Sequence, residues 1–150
     1  MIFTYVTQDL QARGEGQTEL SIPLTFKDDG SFTGEATAER PYRGTTISTA
    51  GTCDVKYPDF QETWKVEGMV VRTGIEGKIT LERAKNVGTA ICSFSPQAVT
   101  SGIDSANGAH EFQLDAFVGQ SETLEFKGFL YPAEGGDSWI INATIVEQGQ

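Results

Sequence analysis

The sequence predicts an all-β fold, an antiparallel meander of about ten strands that forms a β-sandwich or a partly open β-barrel. Apolar and polar residues alternate with a period of two over residues 20–26, 112–118 and 124–130, and a helical period is absent almost everywhere. The 17 glycines and the many threonines favour strands joined by turns.

The length and charge of the chain limit its class. A chain of 150 residues suits one domain, residues 1–150, with a single core. Its net charge of −10 argues against binding to nucleic acid or to an anionic membrane, which both attract clustered Lys and Arg. No stretch of about 18 apolar residues occurs, so no membrane span is expected. The first residues also lack the pattern of a signal peptide.

The parity of the apolar positions predicts where the chain turns, because paired residues of an antiparallel ladder share a face. Residues 28–30, with the sequence Asp-Asp-Gly, form a three-residue loop that pairs Phe26 with Phe32. A two-residue turn at residues 73–74 places Lys65 opposite Glu82, which is a favourable cross-strand pair.

Further turns and strands complete the meander. A second two-residue turn is expected at residues 85–86, and residues 111–131 form a hairpin. Additional strands are expected near residues 2–12, 45–57 and 138–147.

Pro23 marks an edge. Proline cannot donate a hydrogen bond to a ladder, so its strand lies at a sheet edge or contains a bulge there. An edge implies incomplete closure, which favours the sandwich over the barrel.

The two cysteines, Cys53 and Cys92, both fall on the inward parity of their strands. Two inward cysteines on different strands meet the requirement of a disulfide between sheets, if their Cα atoms approach within about 7 Å. The alternative is two separate buried thiols. A disulfide would indicate an extracytoplasmic or secreted location, whereas thiols would leave a cytoplasmic one open.

Residues for catalysis or metal binding are sparse. His110 is the single histidine, and no GxSxG motif is present, so no catalytic residues are assigned. The cysteines do not form a CxxC pair, and Ile103 stands where an EF-hand loop needs an acid. No metal or other cofactor is expected, with an irregular calcium loop as the alternative.

The stretch 95–110 has no clean period and predicts a long loop between two runs of hairpins. Asp104, Asn107 and His110 are its polar groups best placed to bind a partner. The structural alternative is that the loop merely carries the chain from one sheet to the next.

Three aromatic residues, Phe117, Phe129 and Tyr131, fall on the outward parity of the hairpin 111–131. Large aromatic residues on a polar face are informative. Either another element covers them, or they form a patch that binds a protein or a sugar.

Three functional hypotheses follow. The first is a non-catalytic binding module that recognises a protein or carbohydrate partner through loops and one sheet face. The second is a carrier whose strands close around a small apolar ligand. The least favoured is a barrel enzyme that uses carboxylates and His110. A lumen of several hundred Å³ would favour the carrier, and a filled core would favour the module.

Overall fold

The computed structural model describes residues 2–9, 12–13, 16–48, 50–115, 118–129 and 137–146. Their regular structure is all strand, paired antiparallel, which confirms the predicted fold class. None of the described residues belongs to a helix that is long and apolar enough for a membrane span. The strands are β1 (Ile2–Asp9), β2 (Ala12–Arg13), β3 (Gly16–Ser21), β4 (Leu24–Phe26), β5 (Ser31–Ser48), β6 (Gly51–Val71), β7 (Gly74–Arg83), β8 (Asn86–Cys92), β9 (Ser95–Ile103), β10 (Ala106–Leu114), β11 (Ser121–Lys127) and β12 (Asp137–Thr144).

These strands form two open sheets. The small sheet has the order β11-β12-β1-β3, and the large sheet has eight strands with the order β10-β7-β6-β5-β2. In the large sheet β4 also pairs with β5, and β8 lies between β6 and β9. Within the described residues neither sheet closes on itself, so the fold is an open sandwich and not a barrel.

Two long strands, β5 and β6, organise the large sheet. At roughly 3.3 Å per residue, each is roughly 60–70 Å long. β7 pairs with residues 62–71 of β6, and β8 pairs with residues 53–56 in the same register. β10 and β9 extend along β7 and β8 in the same way.

The large sheet therefore has two halves, and the names are kept below. The core half comprises β4, β7, β10 and residues 31–40 and 60–71. The distal half comprises β2, β8, β9 and residues 42–48 and 51–57.

The main core lies between the small sheet and the core half. Its buried residues come from both sheets, and aromatic rings dominate it: Trp64 contacts both Phe129 and Trp139, with ring centroids 6.0 and 5.4 Å apart. The other buried members are Ile22, Phe32, Val66, Ile75, Ile79, Leu81, Phe112, Leu114, Phe126, Ile141 and Ala143.

A smaller core lies on the inner face of the distal half. Val55, Tyr57 and Ala90 are buried there together with Phe60, the first β6 residue of the adjoining core half. Tyr42 packs against them, and its ring stacks on that of Phe60 at 5.2 Å. This second cluster gives the distal half its own apolar packing.

A break in the alternation of the strands, called the bulge line below, separates the two halves. The core-facing residues of β6 are even-numbered from Phe60 onward but odd-numbered up to Tyr57. The same change of parity occurs between β7 and β8 at residues 84–85, and between β9 and β10 at residues 104–105. The ladder of β6 with β5 contains a bulge at this level, between Arg40 and Tyr42, and a bulge shifts the faces by one. β7–β8 and β9–β10 are interrupted at the same level and keep their register to β6 and to each other.

The first predicted loop is confirmed. Phe26 pairs with Phe32, and Gly30 has a φ of 83°, which a glycine adopts without strain. The turn predicted at residues 73–74 lies one residue earlier, at 72–73. Lys65 therefore lies opposite Thr80 and not Glu82. A register shift of two residues leaves every side chain on its predicted face.

The hairpin predicted at residues 85–86 is wrong. β8 does not fold back on β7 but continues beyond its end along β6. A change of parity can arise from a two-residue turn or from a bulge, and here the bulge line supplies it.

The hairpin predicted over residues 111–131 is also wrong. β10 belongs to the large sheet and β11 to the small one, so the chain crosses between sheets after β10. Phe112 and Phe126 enter the same core from opposite sides. Alternation shows which face is buried, but it does not distinguish a neighbour in the same sheet from a residue in the facing sheet.

The other strand predictions are partly correct. A turn at Ala50 divides the strand expected at 45–57, and the loop expected over 95–110 consists mostly of β9 and β10. Pro23 lies where the chain passes from β3 in the small sheet to β4, an edge strand that pairs with β5. The expected edge is therefore present, and the chain also changes sheets there.

Candidate functional site

The three polar residues predicted for a binding loop do not form one site. Asp104 lies in the short break between β9 and β10, and Asn107 and His110 lie on β10 itself. Asn107 is exposed, whereas the His110 side chain belongs to the opposite, core-facing parity. Its ring contacts Phe126 and Phe129 at centroid distances of 5.1 and 4.8 Å.

The predicted aromatic patch is not supported by the residue that can be placed. Phe129 is buried and packs against Trp64 and Trp139, so at this residue the first expected alternative, coverage by another element, holds instead of an exposed patch. It lies just after β11, where Gly128 has a φ of 64° and the alternation of the strand ends. Phe117 and Tyr131 lie outside the described residues.

The disulfide candidate is present in a different setting from the one expected. Cys53 and Cys92 are joined, with an Sγ–Sγ distance of 2.09 Å. They are directly opposite on β6 and β8, so the bond connects neighbouring strands of one sheet and not two sheets. Both cysteines are half-buried beside the distal core.

The most unusual surface of the described chain is the β8–β9 hairpin. Residues 86–103 contain no charged side chain, although the whole protein has 11 basic and 21 acidic residues. At the base of the hairpin, Lys85 Nζ lies 3.9 Å from Asp104 Oδ1. Four apolar residues of the hairpin are between 48% and 59% exposed: Val87, Ile91, Phe94 and Val99.

β9 is an edge strand that is held on one side by β8 and by a side chain of β6. It pairs with β8, and in the described part of the chain it has no second neighbour. The Tyr57 hydroxyl lies 2.8 Å from the Ser101 hydroxyl, which links β6 to β9. The Tyr57 side chain passes close to Gly88 on the intervening strand, where a larger residue would collide with it. One edge of β9 is therefore open while its inner face is anchored.

A groove of about 410 Å³ lies on the outer face of the distal half, beside the bulge line. Two prolines, Pro41 and Pro58, and the exposed Val87 form apolar parts of its wall. Arg43 and Lys56 line it as well and are directly opposite each other on β5 and β6.

The outer face of the core half carries charges of both signs. A shallow concavity of about 860 Å³ lies there, with Lys27, Lys78, Glu67, Glu76 and Glu111 among its lining residues. Beside it, Lys65 Nζ donates to both carboxylate oxygens of Glu82 at 2.8 and 3.0 Å. This hydrogen bond raises the pKa of Lys65. The mixture of charges is typical of a solvated face.

Across the described residues, no group of three or more His, Cys, Asp or Glu side chains is arranged to hold a metal ion.

Comparison with protein-family models, with curated proteins and with solved structures finds no match.

The sequence contained a signal for the hairpin that parity analysis missed. A long uncharged stretch in a strongly charged chain can be read directly from the residues, and it covers the strand expected after the turn at residues 85–86 and the first half of the loop expected at 95–110. No sequence signal indicates the groove, because its residues come from three strands that only the pairing brings together.

Proposed function

We propose that this protein is a non-catalytic interaction module that binds an extended segment of a partner protein along the open edge of β9. One observation carries the proposal. The hairpin 86–103 is uncharged, exposes four large apolar side chains and ends in an edge strand.

An open strand edge presents unpaired N–H and C=O groups that can pair with another chain. Natural proteins commonly protect such edges with charged side chains, prolines or bulges, and strand addition is a recurring way to bind peptides. β9 has Pro96 near its start, but no charge protects residues 97–103. An edge of this kind suits main-chain pairing, with apolar contacts from Ile91, Phe94 and Val99 adding affinity.

A protein partner suits the surface better than a carbohydrate. Three of the four large apolar side chains that the hairpin exposes are aliphatic, and Phe129, one of the aromatics that suggested a sugar site, is buried in the core. The carrier hypothesis needs a barrel lumen. The described sheets are open, and their inward residues pack against one another as a filled core.

An extracytoplasmic location is part of the proposal. The Cys53–Cys92 disulfide is compatible with an oxidising compartment, where such bonds persist. Because Cys92 lies at the end of β8, the disulfide ties the hairpin to β6 and would hold the proposed binding edge in shape outside the cell.

The proposal is tested by selecting peptides from a random 12-residue phage library on the immobilised protein and measuring their affinity. We expect uncharged, β-branched peptides that lose at least about tenfold in affinity for Val99→Lys, because a charge on the edge opposes strand addition. Met69→Lys is the matched control, since Met69 is similarly exposed at 45% but lies on β6 in the core half.

Two results would contradict strand addition at β9. One is a set of selected peptides that binds Val99→Lys as tightly as the unaltered protein. The other is a selection that yields no peptide preferring the unaltered protein over Val99→Lys. Both variants must retain the thermal unfolding midpoint of the parent, which confirms that the fold is intact.

A further inference from the structure

Arg43 and Lys56 form an unfavourable pair that the fold does not explain. They are directly opposite on β5 and β6, and like charges in this position destabilise a sheet. Neither side chain forms an ion pair or a hydrogen bond with another described residue. The two cations are thus held opposite each other with no salt bridge to a described acidic residue.

The acidic residue nearest in register, Asp54, forms no ion pair with either cation. Asp54 lies one step further along the same face, opposite Thr45. Its Oδ1 accepts a hydrogen bond from Thr45 Oγ1 at 3.0 Å. No acidic residue lines the groove itself.

The surroundings of the pair are apolar. Pro41, Pro58 and Val87 line the groove next to the two cations. Val87 is among the most exposed large apolar residues of the described chain. Cations beside an open apolar groove complement a group that carries both a negative charge and an apolar body. The openness of the groove suits a side chain of a docked segment, since small free ligands prefer sites that enclose them.

We propose that this groove binds an acidic side chain of a partner segment, with an adjacent apolar side chain packing on Val87 and the two prolines. The inference rests on the proposed binding function and names the chemistry of a second contact. With strands about 4.8 Å apart, the pair on β5 and β6 lies roughly 10–15 Å from β9. The groove is therefore a contact distinct from the strand edge.

The probes are two peptides that differ in one charge, acetyl-Gly-Leu-Glu-Leu-Gly-amide and its counterpart with lysine in place of glutamate. Binding is followed by amide chemical shifts of the isotopically labelled protein at low ionic strength. We expect saturable shifts around residues 41–43, 56–58 and 87–89. The glutamate peptide should bind about fivefold more tightly, as for exposed ion pairs, and added salt should remove most of this preference. The net charge of −10 would by itself favour the lysine peptide, so the expected preference is local.

Variants separate the groove from the rest of the surface. Arg43→Gln and Lys56→Gln should each abolish the preference for glutamate, while Lys78→Gln, on the outer face of the core half, should keep it. Val99→Lys should also keep it, so failure at β9 and failure at the groove are distinguishable. Because the pair is mutually repulsive, Arg43→Gln should unfold at the same or a higher temperature than the parent.

Three outcomes would overturn the inference. The first is equal binding of the two peptides to the unaltered protein. The second is a preference for glutamate that survives in both groove variants or disappears equally in Lys78→Gln. The third is a clear loss of thermal stability in Arg43→Gln, which would assign the cations to the fold instead of to a ligand.

Discussion

Cys53 lies directly opposite Cys92, and their disulfide joins β6 to β8 close to the end of the distal half. Beyond it, the Ser93 amide donates to the Thr52 carbonyl oxygen at 2.8 Å, and the Thr52 amide donates to Ser93 Oγ at 3.2 Å. The disulfide therefore lies immediately before the turn that connects β8 to β9 in the uncharged hairpin.

Removing the disulfide should destabilise the protein. The bond closes a sequence separation of 39 residues. In the chain-entropy model a loop of this length is worth about 3–4 kcal/mol. The Cys53→Ala/Cys92→Ala double variant should lose about this much free energy of unfolding in urea titrations. Reductant should lower the stability of the parent and leave the double variant unchanged; equal sensitivity of the two would argue against the bond.

Truncation to alanine should destabilise the protein strongly at Phe129 and hardly at all at Phe94. Phe129 is 1% exposed among Trp64, His110 and Trp139, whereas Phe94 is 57% exposed in a turn. Phe129→Ala should cost about 3–5 kcal/mol of unfolding free energy. Phe94→Ala should stay within about 0.5 kcal/mol of the parent, as surface substitutions do. Similar losses for the two variants would contradict the burial of Phe129.

Two glycines on the same edge of the large sheet should differ in their tolerance of a methyl group. A Cβ at Gly108 would overlap the backbone oxygen of Phe129, whereas one at Gly102 would lie 3.9 Å from the Asn86 oxygen. Gly108→Ala should therefore destabilise by about 1–3 kcal/mol. Gly102→Ala should be nearly neutral. Thermal unfolding of the two variants checks the crossing of residues 128–129 over β10.

Asp29 should titrate below its ordinary range. Ser31 donates to Asp29 Oδ1 from its hydroxyl at 2.6 Å and from its amide at 2.9 Å, and these hydrogen bonds lower the pKa of Asp29 below 3.8. The carboxylate thus stabilises the fold above its unfolded-state pKa, and this contribution is lost as the pH falls through the lower folded-state pKa.

Carboxyl carbon shifts measured by NMR against pH would report this pKa. In Ser31→Ala the hydroxyl bond is lost, so the pKa of Asp29 should rise toward its ordinary value while the amide bond keeps part of the effect. An Asp29 pKa that is the same in both proteins would contradict this assignment.

The local pattern of the chain contained much of the fold. Alternation identified the buried face around Phe32, Trp64 and Ile79, because in a strand the side-chain period is two. The turn at residues 28–30 followed from parity and from the need for a glycine at positive φ. The partners of a possible disulfide could also be named from the sequence, since the chain has only two cysteines.

Much less of the candidate site could be predicted from the sequence. Asp104, Asn107 and His110 were grouped because they are close in sequence, but Asn107 and His110 belong to opposite faces of one strand. Arg43, Lys56 and Val87 form a groove although they come from three separate strands. Proximity of this kind depends on register, which a local pattern does not define.

The sequence by itself determined the all-β class, the inward face of most strands and the position of the uncharged stretch. Only the tertiary structure decided which strands are neighbours, that β8 continues β7 along β6, and that Cys53 meets Cys92 within one sheet. The physical reason is that alternation reports burial, which is a property of one strand at a time. Pairing is instead chosen by the combined packing of distant residues, and a single bulge can reverse the parity on which a local prediction depends.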